Sequence, residues 1–480
     1  MHRGRPLTRI LVLVGSAAIA LSSCSSAPRS GNGPRQTILL DTTDDARVGK
    51  QASTAVAAQI GLYEDAVLEA YVDQIGQKLL RGVPRHGFQY QFKVIDQFEP
   101  NAFALPGGYI YVSRGLLALA NSEDEIACVI GHEITHAARR HAARQQELAI
   151  RGPLAMPWIR AGNQAAYGRD MEREADRGGQ FLAAAAGYDP MGMSTFLAAL
   201  GQIERLKIGH ARRRSFLDTH PGAGERAAVN ATRAQEIRWT RNPALGDTQR
   251  RYLERIDGLP VAERPQAGMF EGDRFLHPDL DFQIHFPPGW RTTNSTQAVG
   301  ALSPGRDAMV FLMADQPPGD PKQIAEAFVV KTNREAVVEV TAAGPVKIGA
   351  IDAYRIELEG SGGGGGLLAV VTFIPYGGAT WRITGVSPSL AARQYRGRFL
   401  NTARSFRPLR REEREAIVET RLQLVAAAEG DDVTALGRRS GNHWDPGTTA
   451  VYNGIFTNHR FRGGERVKIA RVQPYRSAGN

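Results

Sequence analysis

Apolar residues recur at helical spacing through most of residues 46–238. Beyond a Pro-marked linker near 258–268 the period shortens to two: Phe282, Ile284 and Phe286 alternate, then Met309, Phe311 and Met313. Ala353 to Leu358 and Leu367 to Ile374 read as two further strands, joined by the loop Gly360-Ser361-Gly362-Gly363-Gly364-Gly365-Gly366. With helices expected at 321–333 and 389–403, residues 269–408 make a small α+β domain. Two breaks interrupt the helical region. Residues 101–113 place Pro106-Gly107-Gly108 between short apolar segments and predict a hairpin or edge strand. An extended peptide could add there along Asn101, Ala102, Phe103 and Ala104; ordinary core strands are the other reading. Residues 151–169, with Pro153, Pro157 and Trp158, either roof a cleft or serve as a plain connecting loop.

Ser122, followed three residues on by Glu125 and by acids in the first turn, marks a helix start, and Ile126, Val129 and Ile130 carry that helix inward. It holds His132-Glu133-Ile134-Thr135-His136. Residues four apart share a helix face, so the two imidazoles can grip one metal, while Glu133, rotated about 100° away, can act on a water at that metal as general base. A bare HExxH also occurs on surface helices. Here a second acidic motif, Glu172-Arg173-Glu174-Ala175-Asp176, begins 36 residues after His136 and sets Glu172 and Asp176 on one face. Two histidines and a carboxylate leave the fourth tetrahedral position open, as catalysis needs; a structural zinc site is usually cysteine-rich, and Cys128 is the only candidate thiol. His220, in Thr219-His220-Pro221, either reaches that open position as a fourth ligand and latch or is a plain turn histidine. His141, about 140° off the ligand face, reads as a solvated histidine among Arg139, Arg140 and Arg144.

Over roughly residues 45–240 the chain resembles the HtpX-, BepA- and Oma-type gluzincin metallopeptidases, relatives of the CAAX prenyl endopeptidases. The resemblance rests on the HExxH, on the Glu-x-x-x-Asp of Glu172 and Asp176, on Asn101-Ala102-Phe103-Ala104-Leu105-Pro106-Gly107-Gly108, and on Thr219-His220-Pro221. It implies one zinc ion per chain held by His132, His136 and Glu172, with Glu133 as general base and Asp176 as a supporting acid. It also implies protein or peptide substrates, specifically misfolded or misassembled envelope proteins.

At the N-terminus, Arg3, Arg5 and Arg9 precede an apolar run of 12 residues, Ile10 to Leu21, too short to span a membrane but suited to a signal peptide. Leu21-Ser22-Ser23-Cys24 resembles a bacterial lipobox, which implies cleavage before Cys24, lipidation of its thiol and, with Ser25 following, an outer-membrane location facing the periplasm. An ordinary signal peptide is the alternative. With Cys24 lipidated only Cys128 remains, so no intramolecular disulfide can form. The net charge of +10 falls to +7 on losing Arg3, Arg5 and Arg9, which suits anionic lipid or cell wall. No nucleic-acid module is recognisable.

Residues 422–473, with Glu429-Gly430-Asp431-Asp432-Val433 and later Gly463-Gly464-Glu465-Arg466-Val467, resemble a diverged LysM module in which Asp432 replaces the usual Thr. That family folds as a βααβ unit and commonly binds peptidoglycan or chitin; a structural C-terminal cap is the other reading. The 480 residues, 42% hydrophobic, allow about three domains. The expected order is a lipoprotein signal peptide at 1–23, a polar tether at 24–45, a mainly helical zincin-type domain at 46–258, the α+β domain at 269–408 and the LysM-like module at 422–473, an α+β protein overall. The expected function is a zinc endopeptidase of the bacterial envelope, anchored by lipid; the alternative is a metal-containing chaperone or wall-binding scaffold whose peptidase site is shut.

Overall fold

The computed structural model describes residues 42–83, 89–144, 157–206, 216, 220–295, 298–315, 319–360 and 366–477. The expected signal segment, Cys24 and residues 361–365 of the glycine loop lie outside them. One compact unit contains Asn32–Glu263 and Glu419–Gln473, the other Arg264–Val418 and Pro474–Asn480.

In the first of these, α1 (Thr42–Gln59) opens at the last residues expected of the tether, and α2 (Ala66–Leu80) follows, capped by Asp65, whose carboxylate accepts from the Val67 and Leu68 N–H groups. Three short strands come next: β1 (Gln91–Ile95), β2 (Ala102–Leu105) and β3 (Tyr109–Ser113). β2 and β3 form the expected hairpin, Ala102 opposite Val112 and Leu105 opposite Tyr109, while β1 runs parallel to β3. The order β1-β3-β2 leaves β2 at an edge. Gly107 turns the hairpin at φ 78°, and a Cβ there would stand 2.8 Å from Ala46 Cα of α1, so glycine is required twice over.

α3 (Arg114–Leu119) leads to α4 (Glu123–Ala138), the HExxH helix. Ser122 Oγ accepts from the Glu125 N–H, as the capping pattern predicts, but the Glu125 carboxylate reaches the Asn121 N–H rather than that of Ser122. Every α4 residue from Glu123 to Thr135 is buried, because α2, β2, β3 and the helices α5 (Pro157–Ala185) and α6 (Gly192–Leu206) surround it. α5 begins inside the segment read as a roof or connecting loop. Pro157 is no obstacle, since the first turn of a helix has no use for the N–H that proline lacks. α6, α7 (Ala223–Glu236) and α8 (Thr248–Ile256) complete the helical layer.

The C-terminal part of this unit runs β15 (Val418–Ala426), α12 (Val433–Ser440), α13 (Pro446–Tyr452) and β16 (Arg466–Pro474), with β15 paired to β16. Asp432 caps α12 by accepting from Thr434 and Ala435 N–H groups, the service a threonine there would render. Val433, Leu436, Ala450, Phe461, Val467 and Ile469 form its own small core, but Leu422, Val451 and Tyr452 belong to the same apolar cluster as α3 and α4. Lys468, fully buried, donates from Nζ to the carbonyls of Ala118, Leu119 and Ala120, capping the C-terminus of α3.

The other unit carries a four-stranded sheet, β14-β6-β5-β4, and a seven-stranded one, β10-β11-β12-β13-β9-β8-β7. The former contains β4 (Met269–Glu271), β5 (Arg274–His277), β6 (Phe282–His285) and β14 (Arg407–Pro408). The latter contains β7 (Arg291–Asn294), β8 (Val299–Leu302), β9 (Met309–Asp315), β10 (Val338–Ile348), β11 (Ile351–Gly360), β12 (Leu367–Tyr376) and β13 (Ala379–Pro388). Helices α9 (Pro321–Glu335) and α10 (Ala392–Arg404) pack on the long strands, and the short α11 (Arg411–Glu415) follows β14. β10 was not foreseen: it is an edge strand, mostly exposed between Glu339 and Lys347, so no apolar alternation announces it. Both α and β structure are thus present, as expected. Among the described residues no helix is long and apolar enough to cross a membrane.

Candidate active site

The position of the site follows from two helices that touch at glycines. A Cβ on Gly179 of α5 would fall 2.7 Å from Cys128 O and 2.8 Å from His132 N of α4, and one on Gly131 would fall 2.9 Å from Gly179 O. Backbones this close bring Glu172, two turns before Gly179, against the HExxH face.

There His132 Nε2 lies 3.0 Å from His136 Nε2 and 3.5 Å from Glu172 Oε2, and His136 Nε2 lies 3.3 Å from Glu172 Oε1. His220, preceding α7, joins them with Nδ1 3.2 Å from His132 Nε2 and 2.9 Å from both Glu172 oxygens. One ligand atom from each of the four lies within 4.8 Å of all the others. A tetrahedral ion with bonds of about 2.0–2.1 Å would space its ligand atoms about 3.3–3.4 Å apart, so the donor set and its spacing fit a metal. The same convergence would otherwise set imidazole lone pairs against each other. His220 is therefore brought into the cluster rather than left in a surface turn; its ring stacks on Phe216, centroids 4.2 Å apart.

Glu133 is buried beside the cluster, and neither of its carboxylate oxygens is hydrogen-bonded among the described residues; His220 Nε2 is 3.5 Å from Oε1. Burial pushes its pKa up to about 7, with Glu172 adding to the rise and the His136 ring, Arg226 and the Ala104 N–H opposing it. Ala104 belongs to β2, so the edge strand bearing Ala102, Phe103 and Ala104 runs past the base, with Asn101 just ahead of it. Burial, reinforced by His136, holds His132 neutral with a pKa of about 3.

Asp176 stands behind His132, Oδ1 3.0 Å from Nδ1. Two residues not singled out from the sequence hold the acids: Arg226 contacts Asp176 and, through Nη1, Glu172 Oε2 at 2.9 Å, while Asn230 donates to Asp176 Oδ2. Burial works against ionising both acids. For Glu172 the His220 and His136 rings outweigh it, for Asp176 the Arg226 and His132 contacts do, and both carboxyls stay well below the usual range. Two buried acids require a buried cation, and Arg226, six residues past His220, was the available signal.

The reading of His141 as solvated is corrected. It is 2% exposed, with Nδ1 2.9 Å from His136 Nδ1 and Nε2 3.3 Å from Glu174 Oε2. α4 ends at Ala138, and Arg140 takes a left-handed conformation at φ 51°, which swings His141 back under His136 instead of continuing the helix away from it. Asp45 of α1 pairs with the Arg140 guanidinium and supports this unusual backbone.

Residues 66–163 and 154–233 match the family model described as Peptidase family M48. The chain is 28% identical over 251 residues to the beta-barrel assembly-enhancing protease of Escherichia coli, covering 47% of this chain and 50% of that protein. It is 27% identical over 198 residues to mitochondrial metalloendopeptidase OMA1 of Schizosaccharomyces pombe, covering 37% and 58%, and 35% identical over 159 residues to the OMA1 of Bos taurus, covering 28% and 30%. The chain thus matches only part of the length of these curated relatives, from 30% to 58%. Residues 66–233, which contain the whole four-residue cluster, Glu133 and Asp176, form a Peptidase family M48 domain.

Proposed function

We propose that this chain is a zinc-dependent endopeptidase of the bacterial cell envelope that cleaves misfolded or misassembled envelope proteins. The observation that carries this reading is the convergence of His132, His136, Glu172 and His220 beside the buried carboxyl of Glu133. His132, His136 and Glu172 would hold the ion, a donor set of the kind found at catalytic zinc, which when bound supplies Lewis acidity. Glu133 takes a proton from the attacking water and returns it to the leaving amine, a role suited to a carboxyl raised toward neutrality by burial. Asp176 orients His132 through Nδ1, and Arg226 keeps Glu172 and Asp176 ionised and in place. A peptide paired along β2 would present its carbonyls beside Glu133.

His220 acts in this scheme as a latch: its Nδ1 fills the fourth place in the cluster and must withdraw before substrate enters. The same contact favours the second reading, a chaperone or wall-binding scaffold with the peptidase site held shut. The envelope location is supported by the lipobox-like Leu21-Ser22-Ser23-Cys24 and by the name of the Escherichia coli relative. An outer-membrane lipid anchor at Cys24 faces the protein to the periplasm, and the βααβ segment after Val418 suits a contact with peptidoglycan.

Casein cleavage by the purified chain, its Glu133→Gln and its His220→Ala variants at matched zinc content tests this. Cleavage by wild type that disappears with Glu133→Gln, and rises with His220→Ala, is the expected result. Three inert proteins with zinc bound would move the reading to the chaperone or scaffold.

A further inference from the structure

We propose that His141 is a positioning residue for the metal site, fixing the tautomer and ring orientation of His136 through a three-member chain, His136–His141–Glu174. The inference deepens the metal-site reading above and rests on it.

The contacts allow one arrangement of protons. If His136 offers Nε2 to a metal, as its place in the cluster requires, its only proton sits on Nδ1. That Nδ1 faces His141 Nδ1 at 2.9 Å, so His141 must accept there and carry its own proton on Nε2. His141 Nε2 faces Glu174 Oε2 at 3.3 Å, which accepts. Glu174 is in turn held by Arg144 Nη1 at 2.9 Å and Arg139 Nε at 3.2 Å. From His136 through His141 to Glu174 each donor meets an acceptor in one direction only, and the two arginines donate to Glu174 from the other side. The chain parallels the Asp176 contact on His132 Nδ1, so both HExxH imidazoles are held from behind, one by a carboxylate directly and one through a second imidazole. The turn at Arg140 is what makes this contact: a residue five past His136 on a straight helix would point elsewhere.

The test compares His141→Asn with His141→Leu, two side chains of nearly one shape, of which only Asn places an acceptor where His141 Nδ1 stands. Zinc dissociation constants are measured on the purified full chain by competition with a chromogenic chelator, alongside thermal unfolding of the metal-free proteins. His141→Leu is expected to weaken zinc binding by about 10–100-fold and His141→Asn by no more than about threefold, with equal metal-free melting. Glu174→Ala, at a partly exposed position, is expected to weaken zinc in the wild-type background and to have no effect on top of His141→Leu. Equal affinities for the Asn and Leu variants, whether both like wild type or both weakened, overturn the positioning role. If wild type itself binds no zinc, the metal-site reading fails first, and the inference falls with it.

Discussion

Arg226 grips Asp176 side-on, Nε 2.9 Å from Oδ2 and Nη2 2.5 Å from Oδ1, and its remaining nitrogen reaches Glu172 and the His220 carbonyl. One guanidinium therefore ties Glu172 and Asp176 to the backbone of His220. Because all three groups are buried, Arg226→Met leaves two carboxylates without their cation, and the metal-free chain should lose about 3–5 kcal/mol at neutral pH by urea titration. Arg226→Lys should recover only part of that, since an ammonium cannot make the side-on pair. The sign with pH follows from the two depressed carboxyls: their contribution is full above the ordinary carboxylate range of about 4 and is lost progressively below it, as pH falls toward their lowered folded values. The wild-type advantage over Arg226→Met should therefore shrink in acid.

Glycine to alanine should have opposite signs at two places on α5. At Gly179 the added methyl meets the α4 backbone below 3 Å, so the helices must part, and a loss of about 1–3 kcal/mol with weaker zinc binding is expected. At Gly168 nothing lies within 4 Å, and alanine should stabilise by about 0.5–1 kcal/mol through helix propensity. Thermal unfolding of the two variants decides it; a neutral Gly179→Ala would contradict the helix contact described, and a destabilised Gly168→Ala would contradict the open space at that position.

Lys468 should make stability depend on alkaline pH. Burial pulls its pKa below the ordinary lysine value, with Glu125 opposing, so between the two values the unfolded chain binds more protons than the folded one. Stability then rises with pH through that window, up to about 10.4. Lys468→Met removes the titration and the cap on α3, and it should flatten this slope. Urea midpoints of both proteins across the window read the difference directly.

Metal should stabilise the fold, because the four candidate ligands converge only in the native state. Zinc at about one hundred times its dissociation constant should add about 2.7 kcal/mol to unfolding, seen as a higher melting temperature that a chelator reverses. His132→Ala or His136→Ala should abolish the shift whether or not the protein cleaves anything.

What the sequence determined alone is what depends on short spacing. Four-residue steps put His132 with His136 and Glu172 with Asp176 because a helix face repeats at that interval, Ser122 announced α4 through its cap, and alternation marked β6 and β9. Tertiary structure decided which of these faces meet. The glycine contact between α4 and α5 sets Glu172 against the imidazoles, and Arg226, Asn230 and His220 arrive from a separate stretch of chain; periodicity has no term for such pairings. His141 was misread because one left-handed residue, Arg140, redirects the chain, and nothing local distinguishes it from a helix running on. Likewise the burial of Lys468 against α3, some 350 residues away, is invisible in a segment whose own pattern reads as a strand. Local hydrogen bonding writes itself into spacing, whereas the desolvation and charge pairing that build the site exist only once distant segments are packed together.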